Sequence, residues 1–381
     1  MNTHAFFAAL IAYFGMTLFV YFCYPKVWRR NRLFIAVLII WHLTGLAAIG
    51  ITFTKFNKIT YETFSYEICR TATFYYIPLT IMAMFFLLWV CVKRTYWFVN
   101  NRTGRSPRLK LENRDFRHQT HCIAFILLSF AICVVGYFNV DLLRTKHYLV
   151  ETDAHSEEES LDICLVSDIH AGAGTWEYAY DNMANQINRT EPDVIVFAGD
   201  VFDETTSYID VRKVSDMIRD IRPPKYGIYY VYGNHDNNVD DWAGQQMSEM
   251  GVTVLKDEMV TLGPDIQLIG CLDKRDERAL EFDELFAKLK PDTERPIIVL
   301  THRPKNFKEM GELGCDLAMA GHTHGFNIPQ YMGENLLEDM YYGRKQYDNM
   351  TAVVSSGVSA WGFHYKWPAQ SEVVSIHLKF K

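Results

Sequence analysis

The sequence predicts a chain of two classes: a four-helix transmembrane section over residues 1–140 and an α/β domain over residues 161–381, joined by a linker over 141–160. Three observations carry this. Four apolar runs free of Asp, Glu, Lys and Arg precede residue 141. After residue 160, strand-like apolar runs alternate with amphipathic helical ones. The charge divides at the same place: residues 1–140 hold 15 Lys plus Arg against 4 Asp plus Glu, whereas the rest hold 23 against 41. A basic membrane section joined to an acidic soluble domain fits that division, and the acidic balance argues against a nucleic-acid partner.

The apolar runs cover residues 5–24, 33–54, 73–92 and 121–140, each near the roughly 20 residues that span a bilayer. Without charged side chains inside them, they read as an anchor or lipid-contacting platform rather than a transporter. His42 is the one imidazole well inside a span, and is expected to be a hydrogen-bonded packing residue. The loop 25–32 carries four Lys plus Arg and the loop 93–120 carries eight, against three in the loop 55–72, so the first two belong in the cytoplasm. The expected product is a multi-pass cell-membrane protein with its soluble domain on the non-cytoplasmic side. The first run lacks a basic segment before it, so no cleaved signal peptide is expected. Tyr21, Tyr24, Trp28, Tyr96 and Trp97 fall at the cytoplasmic ends, as an interfacial belt does. The acidic run Glu157-Glu158-Glu159 is expected to be solvated.

The eight cysteines show no paired spacing and are expected as buried hydrophobe-like residues, with Cys69 alone in a loop.

In the soluble part, Leu161–Val166 reads as a buried strand ending in Asp168-Ile-His170, whose i, i+2 spacing aims both side chains at one point beyond the strand. Helices are expected at 176–188 and 211–221. Strands are expected at 193–197, 226–232, 266–271, 297–300, 317–320, 351–355 and 373–378. Several strands end in Asp, Asn or His beside a glycine: Gly199-Asp200, Gly233-Asn234-His235-Asp236, Thr301-His302 and Gly321-His322-Thr-His324-Gly325. Open α/β sheets bind ligands at the carboxyl ends of their strands, so these groups should converge.

This ordered set resembles the motifs of the calcineurin-like metallophosphoesterases, and the chain looks most like the membrane-attached bacterial-type branch. The resemblance implies a two-sheet, four-layer αββα sandwich. It implies one metal on Asp168, His170, Asp200 and His324, and a second on Asp200, Asn234, His302 and His322, with Asp200 bridging. Oxygen and imidazole donors without thiolate suit two divalent ions, manganese first, with iron or zinc as alternatives. His235, next to Asn234, is the candidate to protonate the leaving oxygen or stabilise the transition state, and by the same resemblance Asp203 orients this histidine, while Asp203 reads equally well as a turn or cap residue. Asp236 is expected to close its turn by accepting backbone hydrogen bonds.

The expected activity is metal-dependent hydrolysis of a phosphoester, by a hydroxide held between the two ions attacking phosphorus in line. Glu204 stands where the protein-phosphatase branch has a phosphate-binding arginine, so a phosphoprotein substrate is disfavoured; Phe326-Asn327 stand where the bacterial branch commonly has Gly-Gln. Arg303, Trp361, His364 and Tyr365 either touch substrate or pack a loop, and the terminal glycine-rich loop carries Lys366 in place of an arginine. A multi-span anchor points first to a lipid-linked or headgroup phosphate, then to a soluble external phosphoester, with a catalytically inactive metal-binding sensor as the competing class. In intact cells, an impermeant thiol reagent should label a cysteine introduced at residues 157–160. Labelling that appears only after permeabilisation would reverse the orientation.

Overall fold

The structure is a computed structural model and describes residues 3–55, 62–102, 114–172, 175, 177–236, 241–325 and 338–381. The chain divides into two compact units, Met1–Lys58 with Glu67–Val135, and Ile59–Tyr66 with Gly136–Lys381.

The first unit is helical, built from α1 (Thr3–Cys23), α2 (Lys26–Arg30), α3 (Arg32–Lys55) and most of α4 (Glu62–Arg102) and α5 (Arg114–Asp141), whose residues 62–66 and 136–141 fall in the second unit. Asn31 caps α3, its side-chain oxygen accepting the amides of Leu33 and Phe34. Aromatic contacts join the helices, Trp41 on Tyr75 and Phe86 on Phe125 among them. His42 takes the Tyr13 hydroxyl at 3.0 Å, as a packing residue should. The outward faces are apolar: Ile11, Leu18, Leu33, Val37, Ile40 and Leu127 are more than half exposed, a surface that suits lipid rather than water. Among the described residues, Arg70–Val99 and His118–Asp141 are long and apolar enough to cross a membrane, while Ile11–Cys23 and Arg32–Ala47 are apolar but shorter. Cys69 lies within α4, not in a loop, because that helix starts well before the apolar run it carries. Of the other cysteines, only Cys91 is exposed.

The second unit contains two six-stranded sheets. The first has the order β1-β12-β2-β3-β4-β5, with β1 Arg144–Glu151, β2 Ser160–Val166, β3 Val194–Ala198, β4 Ile228–Val231, β5 Thr253–Val254 and β12 Glu372–Lys379. The second has the order β10-β11-β9-β8-β7-β6, with β6 Glu258–Leu262, β7 Ile266–Gly270, β8 Ile297–Leu300, β9 Leu317–Ala320, β10 Gly343–Tyr347 and β11 Met350–Val354. The segment expected as a linker, in which residues 147–150 read as strand-like, holds at residues 144–151 an edge strand paired in parallel with β12.

Period-two alternation assigns each face. On β2, Leu161, Ile163 and Leu165 meet Leu268, Ile298, Leu300, Leu317 and Met319 between the sheets. Cys164 and Val166 face the other way, onto α6 (Glu177–Arg189) and α7 (Tyr208–Asp220) through Met183, Ile187, Val214 and Met217. The second sheet's outer face, with Ile269, Val299 and Ala318, is covered by α9 (Phe282–Leu289) and α10 (Phe307–Glu312), while the short α8 (Trp242–Glu249) adds Ala243 and Met247 to the first outer layer. Helix, sheet, sheet and helix make the four layers.

α7 begins three residues before the position expected from the sequence. Ser207 accepts the amide of Asp210, and the Asp210 carboxylate accepts the amide of Ser207, a reciprocal cap that starts the helix early. Ser207→Ala should lower stability by about 1 kcal/mol and the melting temperature by about 2–4 °C, as read by thermal denaturation.

Candidate metal centre

Five strand ends meet at one edge of the sandwich. Asp168 and His170 follow β2, Asp200 follows β3, Asn234 and His235 follow β4, His302 follows β8, and His322 and His324 follow β9. Parallel neighbours β2, β3 and β4, and likewise β8 and β9, end together, so their carboxyl ends deliver these groups side by side.

The turns are tight and held in register by the backbone. The Asp168 amide donates to the Gly199 carbonyl at 3.1 Å, the His170 amide to the Asp200 carbonyl at 2.9 Å, and the Gly321 amide to the His302 carbonyl at 3.1 Å. Asp168, His170, Asp200, His322 and His324 all take left-handed backbone conformations, with φ between 46° and 73°, each at a cost of about 1–3 kcal/mol. Strain concentrated on these residues marks a functional site held in shape by its surroundings. Gly233 and Gly321 are required by close approach: a Cβ at 233 would lie 2.1 Å from Asp200 Oδ1, and one at 321 would lie 2.5 Å from Asp168 Oδ2.

Two buried triads result, Asp168–His170–His324 and Asp200–His302–His322, with the candidate ligand atoms of each within 4.8 Å of one another. Asp200 stands between them, its Oδ2 3.6 Å from His170 Nε2 and 3.2 Å from His302 Nε2. Asn234 Oδ1 lies 3.2 Å from His302 Nε2 and so joins the second group. His302 Nδ1 donates to the Ala198 carbonyl at 2.7 Å; a carbonyl can only accept, which turns Nε2 toward the centre.

The electrostatics fit a cation. Burial pushes the Asp168 carboxyl up, as expected for a desolvated acid near Asp200. Burial also opposes ionisation of Asp200, but His302, His170 and His235 outweigh it and hold that carboxyl well below its usual range. Burial would lower His302, yet Asp200 and Asp168 beside it raise the ring to about 10. His322 and His324 are pushed down by burial and by neighbouring cationic groups, which leaves neutral lone pairs for a ligand. Both ring nitrogens of His170 are buried without a hydrogen-bond partner, a cost that a bound ion at one of them would reduce. The donors are oxygen and imidazole throughout, as divalent Mn, Fe or Zn require.

Of the other residues singled out by sequence, Asp236 closes its turn as expected, accepting the amides of Val201, Phe202 and Gly233. Asp203 is not the carboxylate hydrogen-bonded to His235, although its charge reaches that ring. Its Oδ1 takes the amide and hydroxyl of Thr205, and its Oδ2 stands 3.5 Å from His170 Nδ1. Glu204 is the carboxylate at His235, with both oxygens 3.1 Å from Nδ1. Against the opposing effect of burial, this partner and Asp200 raise His235 to about 9, while Glu204 itself falls to about 2 with His235 beside it. Nothing in the sequence spacing separates these adjacent acids; the turn conformation decides which ring each meets.

Trp361 lies against the His235 ring, centroids 4.8 Å apart, and Arg303 Nη1 is 3.0 Å from His322 Nε2, so both border the centre. His364 and Tyr365 pack instead: His364 pairs with Asp141 at 3.0 Å, and Tyr365 is fully buried. Lys366 is buried and donates to the carbonyls of Ser356 and Gly357 at 2.6 Å each, with burial pushing its amine down to about 7. Sequence reasoning did not foresee this clamp, nor Ser359, whose hydroxyl reaches the carbonyls of Asp168 and Ile169. Phe326 and Asn327 lie outside the described residues.

Residues 161–326 match the family model for calcineurin-like phosphoesterase. The chain is 29% identical over 287 residues to an uncharacterized metallophosphoesterase of Helicobacter pylori, covering 70% of this chain and 75% of the relative. A Campylobacter jejuni uncharacterized metallophosphoesterase is 28% identical over 264 residues, covering 68% and 70%. A Danio rerio transmembrane protein with metallophosphoesterase domain is 26% identical over 318 residues, covering 78% and 71%.

The raised His302 gives a sign for metal uptake. Below its value of about 10 the ring carries a proton on the nitrogen that faces the centre, so divalent-metal binding should release about one proton and strengthen as pH rises from 6 to 9. Calorimetric titration in buffers of different ionisation enthalpy reads that release directly.

Proposed function

The chain carries a calcineurin-like metallophosphoesterase domain and is a metal-dependent phosphoester hydrolase; from that premise we propose a membrane-anchored dimetal enzyme acting on a lipid-linked or headgroup phosphate. The observation that carries the dimetal reading is the pair of buried triads with Asp200 between them. Asp168, His170, Asp200 and His324 would hold one ion, and Asp200, Asn234, His302 and His322 the other, with manganese preferred.

When bound, two such ions supply Lewis acidity at the phosphoryl oxygens and make a water acidic enough to attack phosphorus near neutral pH. The side chains do the rest. Asp200 keeps the two halves of the centre at fixed separation, and its Oδ1 accepts the His235 amide at 2.8 Å, which locks the proton donor to the same node. His235 gives a proton to the departing oxygen as the P–O bond breaks, and is recharged from water. Trp361 covers one face of that ring and limits its motion.

The apolar, outward-facing helices support membrane anchoring, and we read residues 1–140 as four spans, 141–160 as the joint and 161–381 as the catalytic part on the non-cytoplasmic side. An anchored site meets membrane-borne esters at raised effective concentration, which favours a lipid substrate over a soluble external one.

Asp200→Ala should release both ions, as measured by elemental analysis of the purified full chain; two tightly held ions would refute its bridging place. His235→Ala should keep both ions and lower turnover of a phospholipid phosphoester by about 10²–10⁴-fold. Loss of metal in that variant would remove His235 from the proton-donor role, and an absence of turnover with every divalent metal would favour a sensor over an enzyme.

A further inference from the structure

Two consecutive acids follow Phe202 on the turn after β3, and they point at different histidines. Phe202 is buried against Trp242 and bridges to Ala171, which fixes the turn from which Asp203 and Glu204 project. The Asp203 amide donates to Thr206 Oγ1 at 2.8 Å, while the Thr205 amide and hydroxyl occupy Asp203 Oδ1 at 2.7 and 2.6 Å. Only Oδ2 is left to face the centre, 3.5 Å from His170 Nδ1. Glu204, one methylene longer and partly exposed, reaches the other way and sets both oxygens on His235 Nδ1.

We propose that these neighbours divide the support of the centre: Asp203 is the positioning residue for the metal ligand His170, and Glu204 is the positioning residue for the proton donor His235. The assignment rests on the roles given above to those two histidines and adds the groups that set their tautomers. Glu204 accepts a hydrogen bond from His235, so that Nδ1 carries the hydrogen; Asp203 Oδ2, opposite His170 Nδ1 at ion-pair distance, favours the same tautomer there and leaves Nε2 for the centre. On His170 that nitrogen faces Asp200 Oδ2 at 3.6 Å, where a ligand lone pair is needed. On His235 it carries the transferable proton of the imidazolium. The ring is held from three directions, by Glu204 at Nδ1, by Trp361 on its face and by Asp200 at its backbone amide. As the P–O bond breaks, the Nε2 proton goes to the departing oxygen and the ring is left neutral, still bonded to Glu204.

The two roles separate experimentally in the full chain in detergent. Asp203→Asn should weaken manganese binding by about 10–100-fold, read by chelator competition with the metal alone. Glu204→Gln should keep two manganese ions at parental affinity and steepen the dependence of turnover on leaving-group pKa, across aryl phosphoesters from p-nitrophenyl to phenyl. His235→Ala should steepen it likewise, and the double variant should be no steeper than His235→Ala alone. Equal slowing of every ester by Glu204→Gln overturns its half of the assignment, as does loss of metal in that variant. Parental metal affinity together with a steeper slope in Asp203→Asn would restore Asp203 as the partner of His235 and overturn the division. If His235→Ala leaves the slope unchanged, the proton-donor reading fails and Glu204's role with it, whereas the metal titration still decides Asp203. Should Asp203→Asn not fold, the zinc-loaded parent serves: nitrogen-correlated NMR should show hydrogen on Nδ1 of both His170 and His235, and hydrogen on Nε2 of His170 would overturn the assignment.

Discussion

Two buried carboxylates, Asp168 and Asp200, set the terms on which the catalytic part of this chain folds. Like charges in a dry pocket repel and are poorly solvated. The surrounding histidines answer this unequally: His302 and His235 are driven toward the cationic form, while His322 and His324 are held neutral. Without an ion the pocket therefore balances its charge with protons, and with one it exchanges them. Asp200 is the node of the arrangement, because its carboxylate meets His170, His302 and the His235 amide while its carbonyl takes the His170 amide.

That charge problem explains the backbone. Side chains on regular strands diverge to opposite faces, so convergence of several donors on one volume requires the chain to leave the strand abruptly. Left-handed conformations at Asp168, His170, Asp200, His322 and His324 perform the turn, and glycines at 233 and 321 let neighbouring segments close to contact. The strain is offset by the apolar layers behind, where Leu165, Val196, Leu300 and Met319 anchor the strands that end at the site.

Much of this was legible in the sequence because it is written in short-range pattern. The strands at 297–300 and 317–320 match β8 and β9, and the seven expected ligand residues come together, because alternation and a terminal glycine are local signals. Features set by turn geometry were not legible. The different partners of Asp203 and Glu204 depend on Thr205 capturing the Asp203 carboxylate while Thr206 accepts the Asp203 amide. The early start of α7 depends on the Ser207–Asp210 cap, and the placing of Cys69 in α4 on a helix that extends beyond its apolar stretch. β5, β6 and β10 lie toward the sheet margins, where weaker burial leaves little hydrophobic signature.

The joint between the last helix and the catalytic part is more than a tether. Residues 136–141 of α5 fall in the same compact unit as the sandwich. The Asn139 amide reaches the carbonyls of Lys366 and Ala369, and the Lys366 amide donates to Gly136. Lys366 in turn clamps Ser356 and Gly357, beside the segment whose Val358 and Ser359 amides hold the backbone of Ser167 and Asp168. A soluble fragment cut at residue 160 would therefore forfeit both an edge strand and the Gly136 and Asn139 contacts that hold the Lys366 segment. The compact unit that holds the site begins at the end of the helix, a boundary drawn by hydrogen bonds rather than by the first strand-end motif.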